Sequence, residues 1–507
     1  MSLTRSLHRG VQQHPDRIYS IFRDRTHTYR EMQDRVSRIA GGLKGLGLEP
    51  EGRVAILAVN SDTYLQVVLA IGWADGIVVP VNTRWTVAEI VDSLVEAEVS
   101  VLIVDDHFAS AGTAIKAHVP SIAHLIHAGE TANPDASASV SELAVNEAPI
   151  ADAHRSGEQP MGIFYTGGTT GRSRGVVLSN RALTGAALGA LATAPFEQED
   201  ACLVTAPLFH LAQFSAWFTG TQIGATQVIT AAFDPVEVMR VIDKHQVRRA
   251  VLVPTMLHVL LTHPESANFE LDSLRTIVYG GSSISQVTLA MARSRLPEVK
   301  FLQIYGMTEM AATVTALQPE DHADPELTTS AGRAGVHCEI KIVDPNTGHD
   351  VNDARVGEIL VRGEGLMSEY WRRPSETAEV MRGGWLRTGD AGWIDDAGYL
   401  YVVDRVKDMI VSGGENVYSV EVENVVASHP AVSQCAIIGT PDEVWGERVH
   451  AVVVLHDGAH LDLAELDAHC RDRIAGYKCP RGLSVVEALP VSGVGKVLKR
   501  QLRGALA

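Results

Sequence analysis

Through the first two-thirds of the chain, short β-branched runs alternate with helical patterns. RVAILAVN reads as a strand, DTYLQVVLAIGWA as a helix, GIVVPV as a strand, TVAEIVDSLVEA as a helix and VSVLIVD as a strand again. The rhythm resumes with ATQVITA, PVEVMRVIDKH and RRAVLVP, then LRTIVYG and VKFLQIYG. Strand, helix, strand in this order puts neighbouring strands parallel, and parallel sheets need helices over both faces. Two such runs flank a glycine-rich stretch, which predicts two α/β layers within one large domain. From about Gly335 the texture changes to short strands, EIKIVD, GEILVRG and YLYVVDR, separated by the turn-rich DPNTGHD and DDAGY. That texture predicts a small β-rich subdomain. Beyond Arg405, SVEVENVVASH and LAELDAHCRDRI are helical while SQCAIIGT and RVHAVVVLH are strand-like, enough for a small α+β domain. A chain of 507 residues is also too long for one simple core.

Composition narrows the function classes. A net charge of −18 disfavours nonspecific nucleic-acid binding, because phosphate backbones would be repelled. The five cysteines, Cys202, Cys338, Cys435, Cys470 and Cys479, are scattered without a CxxC pair, as expected for reduced thiols. MSLTRSLHRG lacks the apolar core of a signal peptide. The apolar stretch YLQVVLAIGWADGIVVPV holds Gln66 and Asp75 and reads as a helix followed by a buried strand, not as a transmembrane segment. A cytoplasmic protein is expected. Oligomeric state is not legible, and a homo-oligomer is compatible with the sequence.

YTGGTTGRSRG, Tyr165 to Gly175, carries the first chemical signal. Gly167, Gly168, Gly171 and Gly175 let the backbone approach an anion. Thr166, Thr169 and Thr170 offer hydroxyls, and Arg172 and Arg174 offer charge. A polyphosphate site and a plain surface loop both fit these residues. No Gly-Lys-Ser/Thr closes the stretch, so it is not a Walker loop.

Four further segments follow in order: YGMTEM at Tyr305 to Met310, GWLRTGDAGWIDDAGYLYVVDR at Gly384 to Arg405, KDMIVSGGENVYSVEVE at Lys407 to Glu423, and SGVGKVLKRQLR at Ser492 to Arg503. Together with the glycine stretch they resemble the adenylate-forming superfamily of acyl-CoA synthetases, luciferases and nonribosomal adenylation domains, over nearly the whole chain. The resemblance implies an adenylation domain at 1–404, a mobile C-terminal domain at 405–507 and a hinge at Lys407. The implied reaction joins a small-molecule carboxylic acid to the α-phosphate of ATP and then to a thiol, with Mg2+ and CoA as cofactors.

By the same resemblance, Thr166, Gly167, Gly168, Thr169, Thr170, Gly171 and Arg174 hold the β- and γ-phosphates. Here Gly167, Ser173 and Arg174 stand where serine, proline and lysine are usual. Arginine preserves the charge and adds a fork of donors. Thr308 is implied as the α-phosphate hydroxyl and Glu309 as the magnesium ligand, which suits a hard cation whose shell phosphates complete. Tyr305 and Gly306, with Gly280, Gly281, Ser282 and Ser283, would frame adenine. Asp390 would accept from the ribose hydroxyls and Arg405 would contact ribose and phosphate; a turn cap and a surface ion pair are the plainer readings. Lys496 would bridge carboxylate and α-phosphate, and without the resemblance it is one face of a basic terminal helix. Rotation would bring Gly413 and Gly414 toward the acyl adenylate, past which a pantetheine arm could run. Lys478 and Arg481 would meet a CoA phosphate or form a solvated basic face.

The acid would lie near PLFHLAQF, with His210 orienting it and with Leu211, Ala212, Phe214, Gly281, Met310 and Ala311 forming an apolar slot. No aspartate in that loop would meet an α-ammonium, so fatty or aryl acids are expected in preference to amino acids. The leading function is an AMP-forming acyl-CoA synthetase. A stand-alone enzyme loading a phosphopantetheinyl carrier protein uses the same chemistry. A luciferase-like oxygenase and a noncatalytic nucleotide binder are further alternatives on the same fold.

Overall fold

The computed structural model describes the chain from Ser2 to Leu506 apart from residues 167–172, 194–200, 283, 346, 352–353, 406–407, 413–414, 443–444 and 492–496, with the backbone alone for 411, 415, 416 and 506. Packing divides it into two compact units, Met1–Glu339 with Arg362–Leu386, and Ile340–Val361 with Arg387–Ala507. Among the described residues, none of the helices is long and apolar enough to cross a membrane, and all five cysteines are free.

The first unit holds two large sheets. The nine-stranded one runs in the order Arg333–Ala334, Thr315–Leu317, Lys300–Tyr305, Thr276–Gly280, Arg249–Leu252, Ala201–Val204, Thr226–Ile229, Ile18–Phe22 and Arg25–Thr28. Its strands from Lys300–Tyr305 through Ile18–Phe22 are parallel. The eight-stranded sheet runs Glu369–Tyr370, Arg174–Ser179, Pro160–Thr166, Ile77–Pro80, Arg53–Leu57, Val99–Val104, His124–His127 and Ala138–Ser139. Its first two strands are antiparallel additions and the rest are parallel. The alternation predicted from sequence thus forms two parallel layers.

The helix Leu211–Gln222 links them. Phe214 makes an edge contact with Phe164 of the eight-stranded sheet at 5.0 Å between ring centroids, and another with Trp217 at 5.1 Å. Trp217 Nε1 donates to the hydroxyl of Tyr19 in the nine-stranded sheet at 3.1 Å, and Tyr19 sits edge-on to Tyr29. All five rings are buried. Aromatic burial of this kind is among the largest single packing contributions, roughly 3–5 kcal/mol for one ring truncated to alanine.

The second unit has a separate core of Ile410, Val422, Val426, Ile437, Val449, Val453 and Leu466. Strands Val432–Asp442 and Gly446–Leu455 pair antiparallel, and Gly482–Val485 adds in parallel. Strands Trp385–Ile394 and Leu400–Arg405 also pair antiparallel, with Asp390 opposite Arg405.

A buried ion triad in the first unit makes its stability pH-dependent. Ser61 caps the helix Asp62–Trp73, and Asp62, 1% exposed, accepts from His27 Nε2 at 3.1 Å and from both Arg25 Nε and Nη2 at 3.1 and 2.7 Å. Burial would raise the Asp62 carboxyl, but the hydrogen bonds from His27 and Arg25 outweigh it and bring it down to about 2. A depressed carboxylate contributes stability above its unfolded value near 4, and that stability is lost as pH falls through the folded value. The contribution is about 2 kcal/mol at neutral pH. Denaturant titrations between pH 5 and 2 should show stability falling with acidification, and Asp62→Asn should start lower and have a flatter slope across that window.

Candidate active site

Ligands of parallel α/β sheets bind beyond the carboxyl ends of the strands, and Gly280, Gly281, Ser282, Tyr305, Gly306 and Thr308 lie at such ends. Gly280 is in register with Ile304 on the neighbouring strand. Gly280, Gly281 and Ser282 therefore leave the sheet beside Tyr305 and Gly306; Ser283 lies outside the described residues. A Cβ on Gly306 would overlap the carbonyl oxygen of Ala312, and one on Gly280 that of Ile304. Backbone packing therefore requires glycine at both positions. The chain then makes a short 3-10 turn, Thr308–Met310, and continues through Ala311 at φ 51° and Ala312 at φ 88°. Two successive non-glycine residues with positive φ are strained, roughly 1 kcal/mol or more each. Hydrogen bonds from Met310 and Ala312 N–H to the Met307 carbonyl, at 3.1 and 3.0 Å, hold the turn. Met310 is driven into the core, while Thr308 and Glu309 stay half-buried at the sheet edge.

The strands that flank the glycine stretch pair antiparallel, Thr166 with Arg174 and Tyr165 with Gly175. Gly167, Gly168, Thr169, Thr170, Gly171 and Arg172 lie outside the described residues. Arg174 opens the second of these strands, with its guanidinium over the Tyr370 ring at 5.1 Å and paired with Glu376 at 2.5 Å. Tyr370 donates its hydroxyl to Glu309 Oε1 at 2.8 Å. Burial, with the adjacent Glu309 charge, holds the Tyr370 hydroxyl well above the ordinary phenol range, so it stays a donor at neutral pH. The backbone follows the same plan. Trp371 N–H donates to Gly175, Ser368 to Val177 and Met367 to Glu309, while Arg373 reaches the Ser173 carbonyl at 3.1 Å. One segment, Met367 to Glu376, therefore organises both the hairpin exit and Glu309. Sequence reasoning missed it: SEYWRRPSETAE carries no glycine or carboxylate pattern that marks it, and only its clustered aromatics and arginines hint at a site.

Beside the Thr308–Met310 turn lies a cavity that is partly open to solvent. One wall is a single face of the helix Leu211–Gln222. Ala212, Ser215, Ala216 and Thr219 recur at spacings of three and four and are all small. The opposite wall is the sheet face carrying Arg249, Val251, Val278, Leu302, Ile304 and Ala316, and Ala312 and Thr313 close one end. Of the acyl residues expected from sequence, Ala212 lines this cavity. Leu211, Phe214, Met310 and Ala311 are buried in the packing around it, with Ala311 receiving the Ser215 hydroxyl at 3.4 Å. His210 begins the helix, and its ring tilts against Phe209 at 4.3 Å. Gly281 is exposed, with φ +79°.

The second unit carries the remaining candidates. Asp390, 5% exposed, pairs with Arg405 Nε at 2.7 Å. Arg405 is anchored from behind: its N–H donates to Asp404 Oδ1 at 2.7 Å, and Asp404 Oδ2 accepts from Ser419 N–H and Oγ, both at 2.6 Å. Lys478 is bound to both oxygens of Glu421, at 2.6 and 2.8 Å, and the Arg481 guanidinium stacks on Trp445 at 3.8 Å. Lys407, Gly413, Gly414 and Lys496 lie outside the described residues.

Among the described residues one further trio, His8, Asp152 and His154, brings metal-binding atom types within 4.8 Å of one another. Hydrogen bonding accounts for its geometry. Asp152 Oδ2 accepts from Thr4 at 2.6 Å and from His8 Nε2 at 2.8 Å, and Oδ1 accepts from the His154 N–H at 2.8 Å.

Comparison with known proteins agrees with this geometry. Residues 7–371 match the model of the AMP-binding enzyme family, and residues 421–496 match that of the AMP-binding enzyme C-terminal domain. A feruloyl-CoA synthase of Amycolatopsis sp is 37% identical over 94% of this chain and 93% of its own. The amide bond synthetase McbA of Marinactinospora thermotolerans superposes with a TM-score of 0.90 at 30% identity, covering 99% of each chain. The o-succinylbenzoate CoA synthetase MenE of Bacillus subtilis, solved with its acyl-adenylate intermediate, gives 0.87 at 31% identity over 98% of this chain and 97% of its own. With the paired hairpin, the Thr308–Glu309 turn and matches to both domain models, the chain belongs to the AMP-binding, adenylate-forming enzyme family, among its acid–thiol ligases.

Proposed function

We propose that this protein activates an aryl or fatty carboxylic acid with ATP and passes the acyl group to CoA. The observation that carries the reading is Tyr370, which joins Glu309 to Arg174 at the mouth of the glycine hairpin, beside a largely apolar cavity. In the first step the acid's carboxylate oxygen attacks the α-phosphorus. The bond from that phosphorus to the bridging oxygen breaks, and pyrophosphate leaves. In the second, the CoA thiolate attacks the acyl carbonyl and AMP leaves with the electron pair of the anhydride bond. Both steps spread negative charge, so fixed donors and cations matter more than a strong base.

Glu309 suits a magnesium ion. It is half-buried, its Oε1 is oriented by Tyr370 and, among the described residues, its Oε2 carries no hydrogen bond. Mg2+ bound there would neutralise and orient the polyphosphate. Thr308 would donate to the α-phosphate, and Arg174 with the hairpin backbone would hold the outer phosphates. Tyr305, Gly306 and Gly280 to Ser282 would frame the base at the sheet edge, and Asp390 and Arg405 would take the ribose. Lys496 would bridge the attacking carboxylate and the α-phosphate. For the second step we assign the hinge to Lys407, the boundary of rotation to 404/405, and the passage of the pantetheine arm to Gly413 and Gly414. A rotation point need not coincide with the packing division between the compact units. Lys478 and Arg481 are held by Glu421 and Trp445, and a CoA phosphate would have to compete for them. The feruloyl-CoA synthase relative supports an aryl acid.

The test is AMP release from ATP, Mg2+ and a panel of aryl and fatty acids, with and without CoA. CoA-dependent AMP release is expected; pyrophosphate exchange without CoA turnover would move the acceptor to a carrier protein. Lys496→Ala should reduce exchange by at least about 100-fold, on the order expected for losing one transition-state charge contact, and unchanged exchange would overturn its role. Tyr370→Phe keeps the ring under Arg174 but removes the hydrogen bond to Glu309. It should raise the Mg2+ concentration needed for half-maximal exchange by roughly tenfold or more, with an unchanged melting temperature.

A further inference from the structure

We propose that the cavity contains a subsite for an oxygen-bearing, hydrogen-bond-accepting group at the end of the acid farthest from its carboxylate, and that Arg249 receives it. The proposal rests on the acid-activating reading above and names its substrate class: ring-bearing acids with a distal oxygen, in preference to plain alkyl chains.

Strand geometry fixes where Arg249 points. Side chains alternate along Arg249–Leu252. Ala250 and Leu252 belong to the core on one side of the sheet, so Arg249 and Val251 face the other, where both line the cavity. Arg249 is 5% exposed. Its neighbours on that sheet face, Val251, Val278, Leu302, Ile304 and Ala316, are apolar. Among the described residues, those lining the cavity include hydroxyls but no carboxylate. An arginine keeps its charge in any protein environment and carries five N–H donors, enough to serve a resident partner and a ligand together.

Depth gives the shape of the ligand. Arg249 is in register with Thr276, and Thr276 with Lys300, whereas Gly280 is in register with Ile304. Arg249 therefore lies four residues from the Gly280 level, about 13 Å along the strands, toward their amino ends. The adenylate would form at the opposite, carboxyl end. A ring with a short acyl arm spans such a distance better than a two-carbon acid does. A terminal methyl placed against a guanidinium gains nothing, while a phenol, ether or second carboxylate gains a charge-assisted hydrogen bond. The apolar slot expected from sequence thus gains one cationic wall residue.

The test compares matched acids in pyrophosphate exchange: cinnamate, 4-hydroxycinnamate, 4-methoxycinnamate and 4-carboxycinnamate, and octanoate with 8-hydroxyoctanoate. The wild type should favour the oxygenated member of a pair by about tenfold or more in kcat/KM, and the arms separate a neutral oxygen from a second carboxylate. Arg249→Met should bring the ratio near one, through KM more than kcat. Equal use of cinnamate and its 4-substituted forms by the wild type would overturn the subsite while leaving acid activation standing. So would an unchanged ratio in a folded Arg249→Met. Exchange with none of the acids would overturn the underlying reading instead. Should Arg249→Met fail to fold, calorimetric binding of the matched acids to the wild type decides on its own, equal affinities counting against the subsite.

Discussion

The first unit depends on one helix that has two different faces. Leu211–Gln222 is buried almost all round, so no solvent-facing stripe orients it. Its orientation comes from size. Phe214, Trp217 and Phe218 fill the junction between the sheets, and the hydrogen bond from Trp217 to Tyr19 fixes the rotation of the helix about its axis. With the large side chains committed to the core, the small ones at 212, 215, 216 and 219 face the nine-stranded sheet. Four small residues against a β-branched wall cannot close the gap, and the cavity is what remains. The packing that joins the two layers therefore also leaves the cavity in which the acid is proposed to bind, and enlarging the small face would fill it without touching the aromatic anchor.

The second organising contact is Tyr370, at an unexpected place in the chain. Strand Glu369–Tyr370 adds to the hairpin that carries the glycine stretch, and from that edge its hydroxyl reaches Glu309 at the other sheet. The strained Ala311 and Ala312 belong to the same arrangement. Their left-handed conformations turn the chain from the half-buried Glu309 into the cavity wall within a few residues, and Gly306 leaves space for the Ala312 carbonyl inside that turn. A looser connection without positive φ would separate the carboxylate from the acid it is proposed to serve.

Much of the layered fold was legible because period and composition report it directly. Runs such as RVAILAVN and VSVLIVD became neighbouring parallel strands, Arg53–Leu57 and Val99–Val104. The hairpin Ile18–Phe22 and Arg25–Thr28 was not legible as a member of the distant nine-stranded sheet, because pairing with Thr226–Ile229 is a long-range choice that local pattern does not encode. The candidate site was legible where a motif is contiguous, as in YGMTEM. It was illegible where a proposed role comes from packing. Arg249 looks like one of two adjacent arginines until strand alternation is known, and Tyr370 looks like an ordinary aromatic until its strand is paired. The helix Leu211–Gln222 shows that the signal was present: small residues at 212, 215, 216 and 219 recur at helical spacing, but only the opposing sheet reveals that this face looks into a cavity.

Charge placement at the hairpin bears on how an acidic protein would hold a polyanion. With a net charge of −18, the chain exerts no broad attraction on nucleotides, so affinity must be local. The cations at the hairpin base already have carboxylate partners. Arg174 pairs with Glu376, and Arg373 with both Glu376 and Glu96. These pairs hold the guanidiniums in place in the free protein, which reduces the ordering cost of binding but obliges an incoming phosphate to compete for the same donors. A single phosphate gains little in that exchange. A chain of phosphates that also engages the hairpin backbone, Thr308 and a cation on Glu309 gains several contacts at once. On the proposed reading, the carboxylates around Arg174 and Arg373 would act as a threshold that favours a metal-bound polyphosphate over simple anions.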